Sequence, residues 1–306
     1  MSNIQITENE SGKYSPEWFY NEAQKPEWIA FIRKADTLHE NFINHFGIEH
    51  LKSLSGKELL TSLFYNDKGN KLNLCYVLEM DKDMREIFGS IAGGAAYKFG
   101  LFFHKKTQSW TCGSPAKPVK LTENEAIQKA EEIRNDLVEG AEIISSFGPL
   151  NSTADYEQLY KQLEHISGIN TVWRMKYYQM LFPILFAPFY GQDIQLDVLH
   201  FLNQTPSEIP FIRMGQIALF SKKCNIPGIV FGHIWGRSTN HNNKSNDSET
   251  NTLSDKKHKL HYWMYTVFDD TSWMECQQKE IMVLGMNDIG DYSQYDSKES
   301  LRQELI

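Results

Sequence analysis

Aromatic side chains and lysines occur together between residues 257 and 292, and this combination is typical of a nucleic-acid site. An aromatic ring can stack on a base, and a lysine ammonium can hold a phosphate. The residues that combine these properties are Tyr262, Trp263, Trp273, Tyr292, Lys257 and Lys259. Tryptophan and tyrosine in strands belong more often to a hydrophobic core, so composition alone leaves both interpretations open.

A glycine-rich segment, Gly89–Gly100, suggests a phosphate-binding loop with Lys98 as its charged ligand. The Walker A pattern requires a lysine and a hydroxyl residue directly after its last glycine. Here Gly94 is followed by Ala95, so the pattern is not met. The alternative is that Gly93 and Gly94 permit a tight turn before a strand that begins at Lys98.

The remaining polar residues carry no signature of a catalytic or metal site. The ten histidines include no HExxH, no GxSxG is present, and the four cysteines include no CxxC pair. Asp288, Asp291 and Asp296 lie close together, but loop acids more often cap turns. We therefore predict no catalytic residue, no metal and no cofactor.

Composition and charge limit the class of protein. The chain has 306 residues, of which 41% are hydrophobic, and a formal net charge of -8. A globally basic nucleic-acid coat is thereby excluded, so nucleic-acid binding requires a local basic surface. The N-terminus is polar and acidic, and the longest apolar stretch, Met180–Gly191, holds two prolines and is too short for a membrane span. We expect a cytoplasmic protein without membrane association.

The first part of the chain predicts helices followed by strands. Apolar residues recur at helical spacing over Pro16–Ile48, with Ser15 as the N-cap and Gly47 at the end. A second helix is predicted over Ser55–Leu63, because Ser55 followed by Glu58 has the form of a capping box.

From Leu72 the run LNLCYVLEM is typical of a strand, and two further strands are predicted around a Lys105–Gln108 turn. A helix capped by Thr122, with Glu125 three residues later, is predicted over Thr122–Ile144. Residues 1–148 therefore read as one N-terminal mixed α/β domain.

The second part predicts a small helical domain over residues 155–236, rich in aromatic residues. The polar segment 237–259 has too few apolar residues to offset its ordering entropy and is predicted to be a disordered linker. Residues 260–306 predict two strands and the start of a helix, which is too little to enclose a core alone. The predicted fold class is α+β.

Two segments resemble parts of one family. The tail from His261 to Leu305 resembles the beginning of the EVE-like, PUA-related domain found near the front of McrB-like AAA+ GTPases of modification-dependent restriction systems. Tyr262-Trp263, Trp273 and the run GMNDIGDYSQY, Gly285–Tyr295, occupy the places of that domain's motifs. The segment from Phe88 to Ile144, with its KFG, SWTCGSP and helix in this order, is similar to an N-terminal region of some of the same ATPases.

The resemblance implies a DNA-recognition role in defence, in which an aromatic cage of Trp263 and Trp273 holds a modified base that is flipped out of the stack. The chain departs from the family at Met286, where the family has an aromatic residue, and at Asp269-Asp270, where it has a glycine-containing turn. The EVE-like segment is truncated after its first helix, and the chain contains no Walker A, Walker B or nuclease motif. We therefore expect a non-catalytic DNA-binding protein whose partner is a separately encoded AAA+ or nuclease subunit.

Two alternatives belong to other classes of function. The aromatic stretch Trp173–Phe189 would serve a protein–protein scaffold if it formed an exposed patch that docks a partner. A nucleotide-binding enzyme would instead use the Gly89–Gly100 turn.

Overall fold

The computed structural model describes residues 14–64, 72–93, 96–105 and 107–239. The strands within these ranges are β1 (Leu101–His104), β2 (Ser109–Ser114) and β3 (Lys117–Leu121). The helices are α1 (Pro16–Ala23), α2 (Pro26–Phe46), α3 (Ile48–Ser53), α4 (Gly56–Leu63), α5 (Leu74–Glu79), α6 (Lys82–Phe88), α7 (Glu123–Ser146), α8 (Thr153–Leu163), α9 (Val172–Leu181), α10 (Gln192–Phe201), α11 (Pro210–Lys223) and α12 (Gly228–Ser238), with a short 3-10 helix (Ala96–Phe99) before β1. The predicted α+β class is confirmed.

Local sequence signals place several helix ends as predicted. The Ser15 hydroxyl caps α1 by accepting a bond from the Trp18 N–H, and Thr122 and Glu125 form a complete capping box on α7. The helices predicted over Pro16–Ile48 are α1 and α2, and they are divided at Pro26, which cannot continue a helix and starts α2. At α4 the Ser55 side chain makes no capping bond, so that predicted capping box is absent.

The strand predicted from Leu72 is wrong, because the segment forms helix α5. The Asn73 side chain caps this helix by accepting a hydrogen bond of 2.9 Å from the Tyr76 N–H. Four of its six residues are buried (Leu74, Cys75, Val77 and Leu78). A short apolar run of this kind cannot be assigned to helix or strand from periodicity alone.

The predicted pair of strands around the Lys105–Gln108 turn is confirmed as the antiparallel hairpin β1–β2. A third strand, β3, pairs antiparallel with β2 and gives the sheet the order β1-β2-β3. Sequence analysis missed β3 because Pro118 lies within it. Proline is tolerated there because β3 is an edge strand, which has one side without ladder bonds.

The two segments predicted as separate domains, 1–148 and 155–236, share one hydrophobic core and belong to one compact unit. The Tyr177 hydroxyl on α9 donates to the Phe46 carbonyl at the end of α2, and the Tyr178 hydroxyl donates to the Asp136 carbonyl on α7. The predicted boundary between them is corrected accordingly, because the aromatic side chains of α9 fill space between the N-terminal helices. The linker and the EVE-like segment, predicted over 237–259 and 260–306, fall almost entirely outside the described residues.

None of the described helices combines the length and the apolar character that crossing a bilayer requires.

Candidate nucleic-acid interface

All six residues predicted to bind nucleic acid lie outside the described part of the chain (Tyr262, Trp263, Trp273, Tyr292, Lys257 and Lys259). Their roles remain predictions. The described residues contain a second surface with suitable chemistry, and it is built by the three-stranded sheet.

The charge pattern of the sheet contrasts with that of the whole chain. Residues 89–121 contain five lysines and no aspartate or glutamate, although the net charge of the protein is -8. Lys105, Lys117 and Lys120 lie on β3 or in the β1–β2 turn, and all three side chains are exposed. The sheet is therefore a local concentration of positive charge.

The turn between β1 and β2 is held by side-chain bonds that fix the position of Lys105. The Thr107 hydroxyl lies 2.9 Å from His104 Nδ1 and 2.8 Å from the Ser109 hydroxyl. Gln108 has a φ of 47°, and its side-chain amide donates to the Lys105 carbonyl at 2.7 Å. These bonds let a non-glycine residue occupy the left-handed conformation that the turn requires.

The turn between β2 and β3 presents Lys117. Its backbone N–H donates to the Ser114 hydroxyl at 3.2 Å. Gly113 has a φ of 89°, and a Cβ at this position would lie 2.5 Å from the Lys117 carbonyl oxygen. Only glycine therefore permits this close approach of the two strands.

The two faces of the sheet have different surroundings. Leu101, Trp110 and, in part, Leu121 join the hydrophobic core, and α7 contacts all three strands. Because side chains alternate along a strand, Phe102 and Lys120 belong to the opposite face.

On that opposite face, Phe102 packs against Tyr97 with ring centroids 4.6 Å apart, and the His104 ring is 6.3 Å from Phe102. Tyr97 and His104 are half-buried, so each ring keeps some exposed surface. We call the group formed by Tyr97, His104, Lys105, Lys117 and Lys120 the basic sheet; of these, Lys117 shares the face of Leu121 by the same alternation and lies at the exposed end of the edge strand β3.

The described carboxylates nearest to β3 do not pair with Lys117 or Lys120. Glu123 follows β3 but forms an ion pair with Lys57, at 2.9 Å. Glu125 accepts bonds from Thr122, and these bonds hold the pKa of its carboxyl below the ordinary value. Within the described ranges, Lys117 and Lys120 have no ion-pair partner.

Lys98, the ligand of the suggested phosphate loop, is occupied by protein oxygens. Its ammonium contacts the Glu79 carboxylate and donates to the carbonyls of Ile91 and Gly93, at 3.0 and 2.8 Å. Gly89 ends α6 with a φ of 76°. Through these contacts Lys98 holds the segment Gly89–Gly93 against α5. The Glu79 carboxylate balances the positive charge of Lys98.

The exposed aromatic patch predicted over Trp173–Phe189 is wrong. Within this stretch, Trp173, Tyr177, Tyr178, Phe186 and Phe189 are all buried. Phe182 is half-buried, and Ile184 is exposed over 84% of its surface. The aromatic residues serve the core, so the scaffold alternative loses the surface on which it depended.

Neither Cys75 nor Cys224 is an activated thiol. Burial raises the pKa of the Cys75 thiol well above its ordinary value, and burial raises that of Cys224 to about 12. Both thiols are therefore protonated at neutral pH, whereas a nucleophile acts as the thiolate. Among the described residues, no group of three His, Cys, Asp or Glu side chains is arranged to hold a metal ion.

Comparison of the chain with family models, with curated proteins and with solved structures found no match. The candidate site therefore depends on its own geometry and charge. Sequence reasoning overlooked the basic sheet because it weighed aromatic and basic residues only in the tail. The absence of acids over residues 89–121 was the signal that could have located it.

Proposed function

We propose that this protein is a non-catalytic DNA-recognition component of a cytoplasmic restriction or defence system, and that the basic sheet binds the DNA backbone. The observation that supports the proposal is the concentration of exposed lysines on an acid-free sheet of an acidic protein. The motor and the nuclease would be supplied by a separately encoded AAA+ or nuclease subunit.

The physical basis is the release of counterions from DNA. Each lysine that neutralises a phosphate contributes about −0.9 to the slope of log affinity against log salt. Contacts from Lys105, Lys117 and Lys120 would give a slope of about −3. Because the body of the protein is acidic, it repels DNA at long range, and binding depends on these short-range contacts.

The sequence resemblance adds a base-reading site to this proposal. Trp263 and Trp273 would stack on a flipped, modified base, with Tyr262, Tyr292, Lys257 and Lys259 near it. Flipping costs a few kcal/mol, and stacking returns about 1–3 kcal/mol per base. The sheet would then supply affinity for the DNA backbone, and the two tryptophans would supply selectivity for the modified base.

The double substitution Lys117→Gln/Lys120→Gln tests the role of the sheet. We expect it to weaken DNA binding about tenfold at moderate salt and to reduce the salt slope by about two. Fluorescence anisotropy with a short labelled duplex, titrated at several salt concentrations, measures both quantities.

The matched control is Lys161→Gln/Lys223→Gln, which removes the same charge from exposed sites on α8 and α11. The control should keep the wild-type slope. If both double variants lose affinity equally, the effect belongs to net charge and the proposed surface is wrong. If the wild-type chain binds neither modified nor unmodified DNA at low salt, the proposed function is wrong.

Trp263→Ala tests the base-reading site separately. We expect it to reduce the preference for DNA with a modified base by about 1–3 kcal/mol, because one stacking ring is lost. The salt slope should stay unchanged, because no phosphate contact is removed. Anisotropy with paired modified and unmodified duplexes gives the preference, and an unaltered preference would assign base reading to other residues.

A further inference from the structure

An apolar cavity of about 510 Å³ lies away from the basic sheet. Its walls come from the middle of α2, the end of α6, the chain after α9 and the start of α12. Apolar side chains dominate the lining and include Ile32, Ala35, Phe88, Leu181, Ile184 and Ile229. This volume lies within the range of about 300–1,000 Å³ that is typical of small-molecule sites.

The wall contributed by the chain after α9 is rigidly held. Phe182 leaves the helical conformation with φ −128° and ψ 64°, directly before Pro183. The Leu185 N–H donates to the Phe182 carbonyl at 3.0 Å, and the Leu185 carbonyl accepts a 2.6 Å bond from the buried Tyr156 hydroxyl. These bonds fix the loop in a conformation that leaves Ile184 exposed at the cavity.

Two polar residues, Asp36 and His39, lie one helical turn apart on α2 and line the cavity. His39 Nε2 is shielded from solvent and has no hydrogen-bond partner. A shielded polar atom without a partner costs about 1–3 kcal/mol, and a ligand that reaches it makes a bond that the protein lacks. Because the His39 ring lines the cavity but Nε2 is shielded, the ring must turn towards the cavity for this bond to form. Asp36 is exposed and brings negative charge to the same side.

We propose that this cavity binds a small, uncharged, largely apolar alcohol whose hydroxyl bonds to His39 Nε2. The apolar lining accounts for the apolar body of the ligand. A hydroxyl both donates and accepts, so it satisfies either tautomer of the histidine ring. An anionic head group is disfavoured by Asp36, and any buried charge pays a desolvation cost.

This site is independent of the DNA-binding proposal, because it uses other residues on another part of the fold. Its test uses displacement of the neutral fluorescent probe N-phenyl-1-naphthylamine from the full chain. Three competitors share a nine-carbon chain and differ only in the head group: 1-nonanol, nonanoate and nonylamine. We expect 1-nonanol to displace the probe at the lowest concentration and nonanoate at the highest.

Two substitutions assign the binding to this cavity. His39→Leu should weaken 1-nonanol about five- to tenfold, the value of one hydrogen bond, and should change probe binding little. Ile184→Glu should weaken the probe and 1-nonanol together, because it places a carboxylate beside the apolar lining. Ile184 is exposed, so this variant is expected to fold. Val172→Glu, at another exposed apolar position, is the matched control and should bind as the wild type does.

The outcomes separate the possibilities. Probe binding that Ile184→Glu leaves unaltered would place the ligand elsewhere and overturn the proposal, as would absence of probe binding by the wild type. A preference for nonylamine would show that the proposed hydroxyl head group is wrong and that the polar contact is made by Asp36. If His39→Leu weakened all three competitors equally, the proposed hydrogen bond between the alcohol hydroxyl and His39 would be wrong.

Discussion

Replacing Gly215 by alanine is expected to lower the free energy of unfolding by about 3 kcal/mol. This is the reverse of the usual effect, since glycine to alanine inside a helix ordinarily stabilises by about 1 kcal/mol. Gly215 lies within α11, and a Cβ there would sit 2.2 Å from Cδ1 of Tyr156 on α8. The ring cannot retreat, because it is buried and its hydroxyl is bonded to the Leu185 carbonyl.

The matched control is Gly232→Ala on α12. Its Cβ would meet Phe189 at 3.4 Å, which is ordinary van der Waals contact, so this variant should be as stable as the wild type or more so. Chemical denaturation of both variants gives the two free energies. Adding Tyr156→Leu to Gly215→Ala should cost less than the sum of the single changes, because the steric conflict is removed. Simple additivity would show that the cost arises elsewhere.

The same substitution links stability to the proposed ligand site. Tyr156 holds Leu185, and Leu185 lines the apolar cavity. We therefore expect Gly215→Ala to disturb binding of the neutral probe as well as stability.

The second large effect concerns Lys176, whose side chain is completely buried. Its ammonium donates to the Gly89 carbonyl at 2.6 Å and lies 5.5 Å from the Tyr190 ring centroid. The Tyr190 hydroxyl donates to the Phe88 carbonyl, and His233 Nε2 lies 3.2 Å from the Ile87 carbonyl. Three side chains thus satisfy carbonyls at the end of α6, which lack partners within the helix.

Burial lowers the pKa of Lys176 to about 7, and repulsion from Arg85 adds to this, while Asp81 acts in the opposite direction. In the unfolded chain a lysine titrates at about 10.4. Between these two values the unfolded state binds more protons than the folded state, so the stability contributed by Lys176 rises with pH from about 7 to about 10.4. The slope is at most about 1.4 kcal/mol per pH unit, and the total is up to about 5 kcal/mol.

Other buried groups limit the pH range of high stability from below and from above. Burial lowers the pKa of His233, so stability is lost as the pH falls below the ordinary histidine value of about 6.5. Burial raises the pKa of the Cys75 and Cys224 thiols, so stability is lost above about pH 8.5, where the unfolded thiols ionise first. The buried tyrosines Tyr177 and Tyr190, whose pKa is also raised, add to this loss above about pH 10. We expect the free energy of unfolding to be greatest near about pH 8 to 8.5, because above this range the loss from the two thiols exceeds the gain from Lys176.

Lys176→Met tests this expectation. The variant should lose the rise in stability between about pH 7 and 8.5, since the titrating group is absent, and its stability should fall more steeply than that of the wild type above about pH 8.5. At pH 9 it should be less stable than the wild type, because the Gly89 carbonyl then lacks its donor. Urea denaturation across the pH range measures the dependence. Lys161→Met, at an exposed site on α8, should retain the wild-type curve, and an unchanged curve for Lys176→Met would refute the assigned cause.

Local signals in the sequence were sufficient for several elements. Ser15 and Thr122 cap helices because the bonds they make reach only three residues along the chain. The β1–β2 hairpin was predictable for the same reason, since its turn closes over a few residues. Strand β3 was missed because Pro118 suggests a break, and only its place at the sheet edge makes that proline acceptable.

Burial and partnership were decided by the tertiary structure. The LNLCYVLEM run forms helix α5, whose apolar side chains are buried and which packs against α4, α6 and α9. Periodicity within the run could not indicate these contacts. The aromatic residues from Trp173 onward resemble a docking surface in composition, yet the fold encloses them. In the sequence Lys98 resembles a phosphate ligand, but in the structure its ammonium is paired with the Glu79 carboxylate.

The sequence by itself determined the α+β class, the main helix caps, the hairpin, and the acid-free lysine segment of an otherwise acidic chain. Only the tertiary structure decided that this segment forms a sheet surface with lysines facing solvent, that Lys176 is buried, and that α2, α6 and α12 surround an apolar cavity. The physical reason is one of range. Capping and turn formation depend on neighbours in the chain, whereas the bond from Lys176 to Gly89 joins residues 87 positions apart, and its existence depends on how every intervening element packs.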